Sequence, residues 1–308
     1  MTPGYDALRK GVAVLDLTGR GAIHARGRDR ARFLHNLTSN EIKKMTPGQG
    51  CYTFLLNPQG RIQADLNLFC FPERFLLDTE PELREKVQQH ILRYIISDQV
   101  ELEDVTVGTA AIGLEGPGSA ALLAGLAAPV PERPWQHAAW DDAVVAAVSV
   151  TGQPGFRIFA PADRGQDVRL RLQEAGAVPA TPEDARTVRI ENGKPRYGEE
   201  ISDASLPQET QQMHAVSFTK GCYLGQEIVE RIRARGHVNR KLVRLHLDSA
   251  EAPAPGTKVA AGKEEAGEIA SAVRSPQAGH AVALAWLRVP YVDDGSALAV
   301  AGVPARVG

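Results

Sequence analysis

The chain has 308 residues, 43% of them hydrophobic and 23% charged, a balance ordinary for a folded globular protein and long enough for more than one core. Its net charge of −2 excludes a globally basic polyanion binder, so any nucleic-acid contact needs a local patch. Three cysteines (Cys51, Cys70 and Cys222), odd in number and far apart, exclude a disulfide framework and point to a reducing compartment.

The opening MTPGYDALRKG has neither an apolar signal core nor the arginine-rich face of a transit helix. No run approaches the roughly eighteen apolar residues of a membrane span, so a cytoplasmic protein with no membrane contact is expected. Ala22–Gly27 reads as a short strand, and RDRARFLHNLTSNEI as a helix carrying Phe33, Leu34 and Leu37 on one face. CYTFLLNPQGRIQADLNLFCF predicts a hairpin turning at Asn57-Pro58-Gln59-Gly60. The strand RFLLDT follows, then a helix from Pro81 with Leu83, Val87, His90, Ile91 and Tyr94 along one side, then the strand VELEDVT.

AAIGLEGPGSAALLAGLA reads as strand, glycine-rich turn and helix; DDAVVAAVSV and GFRIFAP read as strands, and DVRLRLQEAGA as a helix. Hairpins interleaved with helices predict an α+β fold with antiparallel sheets. The Pro/Ala-rich SAEAPAPG predicts a linker, dividing the chain into residues 1–249 and a small β-barrel or sandwich at 250–308 built from TKVAAG, EAGEIASAV, HAVALAWL and SALAV.

Gly116, Gly118 and Ala121 form a GxGxxA pattern, but Pro117 removes one phosphate-cradling amide and the surroundings are hairpin-rich; a tight strand-to-helix turn is expected. Walker, nucleophile-elbow and HExxH patterns are absent, and the eight histidines show no metal-ligand spacing, so no metal site is expected. RIRARGHVNRKLVR reads as two strands around Gly236, with Arg231, Arg233 and Arg235 on one face: either a solvated strand or an anion-facing patch for tRNA phosphates. Glu191, read as the end of a strand before Asn192-Gly193, is an ordinary turn glutamate or a fork for a flat amidine-like heterocycle. Asp65 alternates against Ile62, Ala64, Leu66 and Leu68, sharing a face with Gln63 and Asn67 that is either solvent or site.

Together these segments resemble a known family. SFTKGCYLGQEIVERIRARG resembles the K-G-C-[FY]-x-G-Q-E signature of the YgfZ family of folate-binding proteins, a branch of the glycine-cleavage T-protein (aminomethyltransferase) superfamily. RFLHNLTSNEI, GRIQADL, RIENGKPRYGEEI with LPQE, and PAPGTKV through HAVALAWLR extend the resemblance over nearly the whole chain. It implies a three-lobed ring around a central tetrahydrofolate site, plus a C-terminal β-barrel. It places Glu191 on the pterin, Asp65 beside the folate nitrogens that carry the one-carbon unit, and Phe75 and Leu77 along the pterin. Lys220 would be a further folate contact.

T-proteins lack the cysteine of KGCYLGQE. The resemblance therefore implies, first, a monomeric accessory protein for assembly or repair of iron–sulfur clusters in selected enzymes, including tRNA-modifying ones. Cys222 would be its functional thiol, acting with a partner because one thiol cannot hold a cluster. The alternative is a folate-dependent aminomethyltransferase in which Asp65 serves acid–base chemistry. A tRNA-binding module is the third reading.

Overall fold

The computed structural model describes residues 1–236, 238–293 and 295–308, except the side chain of Arg235. The chain opens with helix α1 (Pro3–Lys10), capped by Thr2, whose hydroxyl oxygen accepts from the Tyr5 amide at 3.1 Å. β1 (Ala13–Asp16), β2 (Gly21–Arg26) and α2 (Arg30–Leu37) precede the meander β3 (Gly50–Leu56), β4 (Ile62–Cys70) and β5 (Phe75–Thr79). Then come α3 (Arg84–Leu92), β6 (Glu101–Asp104), β7 (Thr109–Glu115), α4 (Ser119–Gly125), β8 (His137–Trp140), β9 (Ala143–Ala146) and β10 (Gly155–Pro161). α5 (Gly165–Glu174), β11 (Val178–Pro179) and α6 (Pro182–Glu191) follow, and a largely irregular segment leads to α7 (Gln226–Arg235). The C-terminal strands are β12 (Arg240–Leu247), β13 (Lys258–Ala261), β14 (Glu264–Arg274), β15 (Ala281–Arg288), β16 (Leu298–Val300) and β17 (Val303–Val307).

The strands form a five-stranded antiparallel sheet, β3-β4-β5-β2-β6, a six-stranded sheet, β11-β1-β7-β10-β9-β8, and a closed barrel, β12-β15-β14-β13-β16-β17. Strand alternation gives each of the two open sheets one face packed on helices and one turned towards the other sheet. In the five-stranded sheet Ile23, Leu66 and Leu77 pack under Phe33 and Leu34 of α2 and Val87 and Ile91 of α3. In the six-stranded sheet Ile112, Leu114 and Ile158 meet Leu123 of α4 and Leu172 of α5. The inner faces join the two sheets through Ala22, Phe69 and Leu76 on one side and Ala111, Ala146 and Phe159 on the other; the Phe69 and Phe159 rings lie edge to face at 5.6 Å. Ile190 of α6 meets Leu242, Leu284 and Trp286 of the barrel. No helix among the described residues is long and apolar enough to cross a membrane.

Three expectations are corrected. The barrel begins with β12 at Arg240, so the boundary lies near residue 240, not between 249 and 250; the SAEAPAPG segment joins β12 to β13 inside the barrel. Of the two strands expected around Gly236, the second is β12, but residues 231–235 belong to helix α7, because Ile228, Val229 and Ile232 recur at helical spacing and Gly236, at φ 72°, closes the helix by donating its amide to the Ile232 carbonyl. Arg231 and Arg233 therefore sit on different sides of α7, and the side chain of Arg235 lies outside the described residues. Glu191 ends helix α6, not a strand: Thr181 and Asp184 form a capping box with Pro182 at the first turn.

The GxGxxA segment is the expected tight turn: at Gly116 (φ +124°) a Cβ would meet the Gly11 carbonyl oxygen at 2.5 Å, so the turn is glycine for close packing on the end of α1. Truncating the ring that joins the two sheets, Phe69→Ala, is expected to cost about 3–5 kcal/mol, read as a lower urea midpoint; a midpoint equal to wild type would mean that the two sheets do not depend on this contact.

Candidate functional site

A cavity of about 450 Å³ opens between the two sheets, α6 and the segments 194–199 and 212–214, within the size range of small-molecule sites. Its floor comes from the meander. On β4, Asp65 and Asn67 point into the cavity, and on β5 Asp78 does, with Glu80 just beyond. Across from them Arg157 projects from β10, a charged side chain in an otherwise apolar strand.

Asp78 is 1% exposed and organises the polar floor. Arg20 donates to both its oxygens, at 2.8 and 3.3 Å, Asn67 donates at 2.8 Å, and Arg157 pairs with it from the opposite sheet. Glu80 takes Arg20 and, at 3.0 Å, Arg196. Burial opposes its charge, but these guanidiniums outweigh it and hold the Glu80 carboxyl at about 2.

Asp65 has no such cation. The Tyr52 hydroxyl donates to one oxygen at 2.7 Å, while the other, buried, has no partner among the described residues. Burial and the Glu80 charge push its carboxyl up to about 6, against the pull of the Tyr52 hydrogen bond. Above it lies an aromatic wall: Tyr52, Trp135 and His214 stand 5.4–6.4 Å apart, centroid to centroid, with interplanar angles of 22–28°. Trp135 holds a left-handed backbone (φ 58°), rare for so large a residue, and donates its indole N–H to Asn67 at 2.9 Å. The arrangement can hold a flat heterocycle against the rings and offer a carboxyl that exchanges its proton near neutrality.

Of the candidate site residues Asp65, Glu191, Phe75, Leu77, Lys220 and Cys222, only Asp65 lines this cavity, on its inner face and not in solvent. On α6, residues 182, 185, 186 and 189 face the cavity, and Glu191, two residues on, falls about 200° round the helix. Its carboxylate accepts from the Tyr5 hydroxyl (2.8 and 3.0 Å) and from Ser275, and pairs with Arg9 at 3.3 Å, tying α1 and the barrel to α6. Phe75 and Leu77 alternate away from Asp78 and are packed in the core beneath the sheet. Lys220 is buried, its ammonium donating to the carbonyls of His35, Thr38 and Asn40 at the C-terminal end of α2; burial brings it down to about 8.

Cys222 is exposed and outside the cavity lining, while Cys51 and Cys70 are buried. With the Lys220 ammonium turned inward onto three carbonyls, the lysine is not the thiol's basic neighbour. No group of three or more His, Cys, Asp or Glu among the described residues is placed to hold a metal ion. A shared arginine face for tRNA loses its geometry, since Arg233 stacks over Phe218 at 4.3 Å and pairs with Glu230 at 3.6 Å.

Sequence reading missed Tyr52, Trp135, Arg157, Lys194 and His214, which line the cavity. A charged residue inside each of the apolar strands GFRIFAP and RFLLDT was the signal available for Arg157 and Asp78.

The Asp65 carboxyl fixes a pH dependence. Its folded value, about 6, lies above the ordinary 3.8, so its contribution is full below about pH 4 and lost as the pH rises through about 6. Asp65→Asn is therefore expected to be more stable than wild type by about 2–3 kcal/mol near pH 8, with no advantage below about pH 4. Melting curves across that range check it; a pH-independent difference would contradict the burial of a charged Asp65.

Residues 3–220 match the GCVT N-terminal domain and residues 240–307 the glycine cleavage T-protein C-terminal barrel domain. The chain is 30% identical over 312 residues to an aminomethyltransferase of Rubrobacter xylanophilus, covering 98% of this chain and 83% of that one. It is also 30% identical over 305 residues to an aminomethyltransferase of Thermus thermophilus (94% and 82%). The crystal structure of the glycine cleavage system aminomethyltransferase T from Bartonella henselae superposes with a TM-score of 0.90 at 19% identity, covering 99% of this chain and 87% of that one. Two matched domains spanning both the sheets and the barrel, in the order and arrangement of that structure, make this chain a member of the glycine cleavage T-protein family.

Proposed function

We propose that the chain binds tetrahydrofolate in the cavity between its two sheets and acts as a folate-dependent aminomethyltransferase. The observation that carries this reading is Asp65: a buried carboxyl near 6, with one oxygen held by Tyr52 and the other unpartnered, beside a wall of three flat rings. Family membership and the aminomethyltransferase names of its relatives support it. The fit is chemical as well. A reduced pterin presents a flat face to Tyr52, Trp135 and His214, and N–H donors that suit the free Asp65 oxygen.

Tetrahydrofolate, when bound, supplies the nitrogens that carry the one-carbon unit. Tyr52 fixes the Asp65 rotamer and keeps one oxygen turned to the ligand. Asp65, able to hold or release a proton near neutral pH, assists proton movement at the amine during transfer. The paired charges of Arg20, Asp78, Glu80 and Arg157 keep the floor rigid and neutral overall, so that Asp65 remains the responsive group.

Calorimetric titration of tetrahydrofolate is expected to give affinity at least about tenfold weaker for Asp65→Asn than for wild type, because an acceptor becomes a donor. Glu191→Gln, altered outside the cavity, is expected to bind within about twofold of wild type. Equal affinity in Asp65→Asn, or no binding by wild type, would reject the site. Failure of the purified protein to form methylene-tetrahydrofolate and ammonia from tetrahydrofolate and an aminomethyl-lipoyl donor would reject the transferase activity.

A second reading rests on one observation: Cys222 is the exposed thiol of the chain and lies outside the cavity. In the YgfZ-like role it would meet a partner in iron–sulfur cluster assembly or repair, with folate binding kept separate. Cys222→Ala is then expected to fail to restore cluster-dependent enzyme activity in a deletion strain; full restoration would remove the thiol from the function.

A further inference from the structure

Six cationic side chains line the cavity, and five are paired. Arg20 and Arg157 hold Asp78, Arg186 and Arg189 hold Glu199, and Arg196 holds Glu80. Lys194 is the exception. Its ammonium donates to the Ser149 carbonyl and has no carboxylate within 4.0 Å among the described residues. Glu115, the acid whose charge acts most strongly on it, is already taken by the Val150 and Thr151 amides, at 2.7 and 3.0 Å, and by the Thr151 hydroxyl. Burial, reinforced by the charges of Arg157 and Arg20, brings Lys194 down to about 8.

Lys194 is half-buried, and a cation withdrawn even partly from water without a counter-ion is costly; its ammonium, with one bond made, still has two donors to place. The Arg157 Nε, also buried and without a partner among the described residues, adds to the same unmet demand for an acceptor. In the same cavity the free Asp65 oxygen asks for a donor. The lining is thus complementary to a ligand that carries both a hydrogen-bond donor edge and an anion.

We propose that Lys194 is the anion receptor of this cavity and takes a carboxylate of the bound ligand. This rests on the folate reading only for the identity of the ligand. The carboxylate comes either from the glutamate tail of a folate or from a separate amino-acid-like molecule sharing the cavity, and the chemistry at Lys194 is the same.

The test is calorimetric titration of the full chain with tetrahydrofolate, with tetrahydropterin (the ring without a carboxylate) and with glycine. Wild type, Lys194→Met and Lys194→Arg are compared. Lys194→Met is expected to weaken a carboxylate probe by about tenfold or more and to leave tetrahydropterin unchanged, and Lys194→Arg to recover most of the loss. A loss confined to tetrahydrofolate assigns the glutamate tail; one confined to glycine assigns a separate carboxylate. Lys194→Gln replaces the methionine variant if melting shows the latter unfolded.

Equal carboxylate binding with and without the lysine, an equal loss for tetrahydropterin, no recovery by arginine, or no carboxylate binding by wild type would each overturn the proposal. Tetrahydrofolate binding that ignores Lys194 leaves the folate reading intact and removes this one. Lys194-dependent glycine binding without any binding of the two ring compounds does the reverse.

Discussion

The cavity depends on one buried carboxylate. Asp78, on the five-stranded sheet, is held by Arg20 from the turn before β2 and by Arg157 from the six-stranded sheet. Such a cluster is weak evidence for stability, because removing three charges from water costs about as much as their attraction returns. What it enforces is geometry. An unpaired member would be strongly unfavourable, so Arg157 must meet Asp78, and the two sheets must stand at the separation that leaves room for a ligand between them. The aromatic contact of Phe69 with Phe159 closes the apolar end of the same interface.

That pairing also decides which groups respond to a ligand. Glu80 is held far below the usual carboxylate range by its arginines, while Asp65, one strand over, is pushed up by burial and by the charge of Glu80 itself. Two carboxyls in one cavity are thus driven apart by their surroundings, an arrangement suited to a fixed charge beside a proton carrier. Tyr52 links this polarity to the aromatic wall, since the ring that stacks near His214 carries the hydroxyl bound to Asp65.

Much of the scaffold was legible because it is local. The β3–β4 hairpin follows from alternation around Asn57-Pro58-Gln59-Gly60, and four of the barrel strands from short apolar runs between turns. The α6 and α7 helices were not. Val188-Arg189-Ile190 imitates strand alternation over three residues, while the signal that a helix had begun, Thr181-Pro182 with Asp184, lies two turns upstream. In α7 alternating arginines outweighed Gly236, which marks a helix end as readily as a hairpin. The cavity was least legible, since its lining runs from Asp16 to His214 and no spacing along the chain brings Arg157 to Asp78. Asp65 was placed by alternation and resemblance, but whether its face met solvent or a site depended on the second sheet.

The KGCYLGQE segment separates what packing explains from what it does not. Lys220 caps the end of α2 through three carbonyls, Tyr223 is buried, and Leu224 donates its amide to the Asn36 carbonyl at 3.0 Å. Gly225, at φ +81°, sits where a Cβ would meet the Asn57 carbonyl oxygen at 2.6 Å, locking the segment onto the β3–β4 turn. These residues are accounted for as a clasp between α2, the hairpin and α7. Cys222 and Glu227 are exposed members of the segment, and the Cys222 thiol faces outward. The thiol is exposed and outside the lining of the cavity between the sheets, so whatever it meets approaches from solution. Asp65 and Cys222 can therefore be altered independently by single substitutions, because no cavity-lining residue belongs to the clasp.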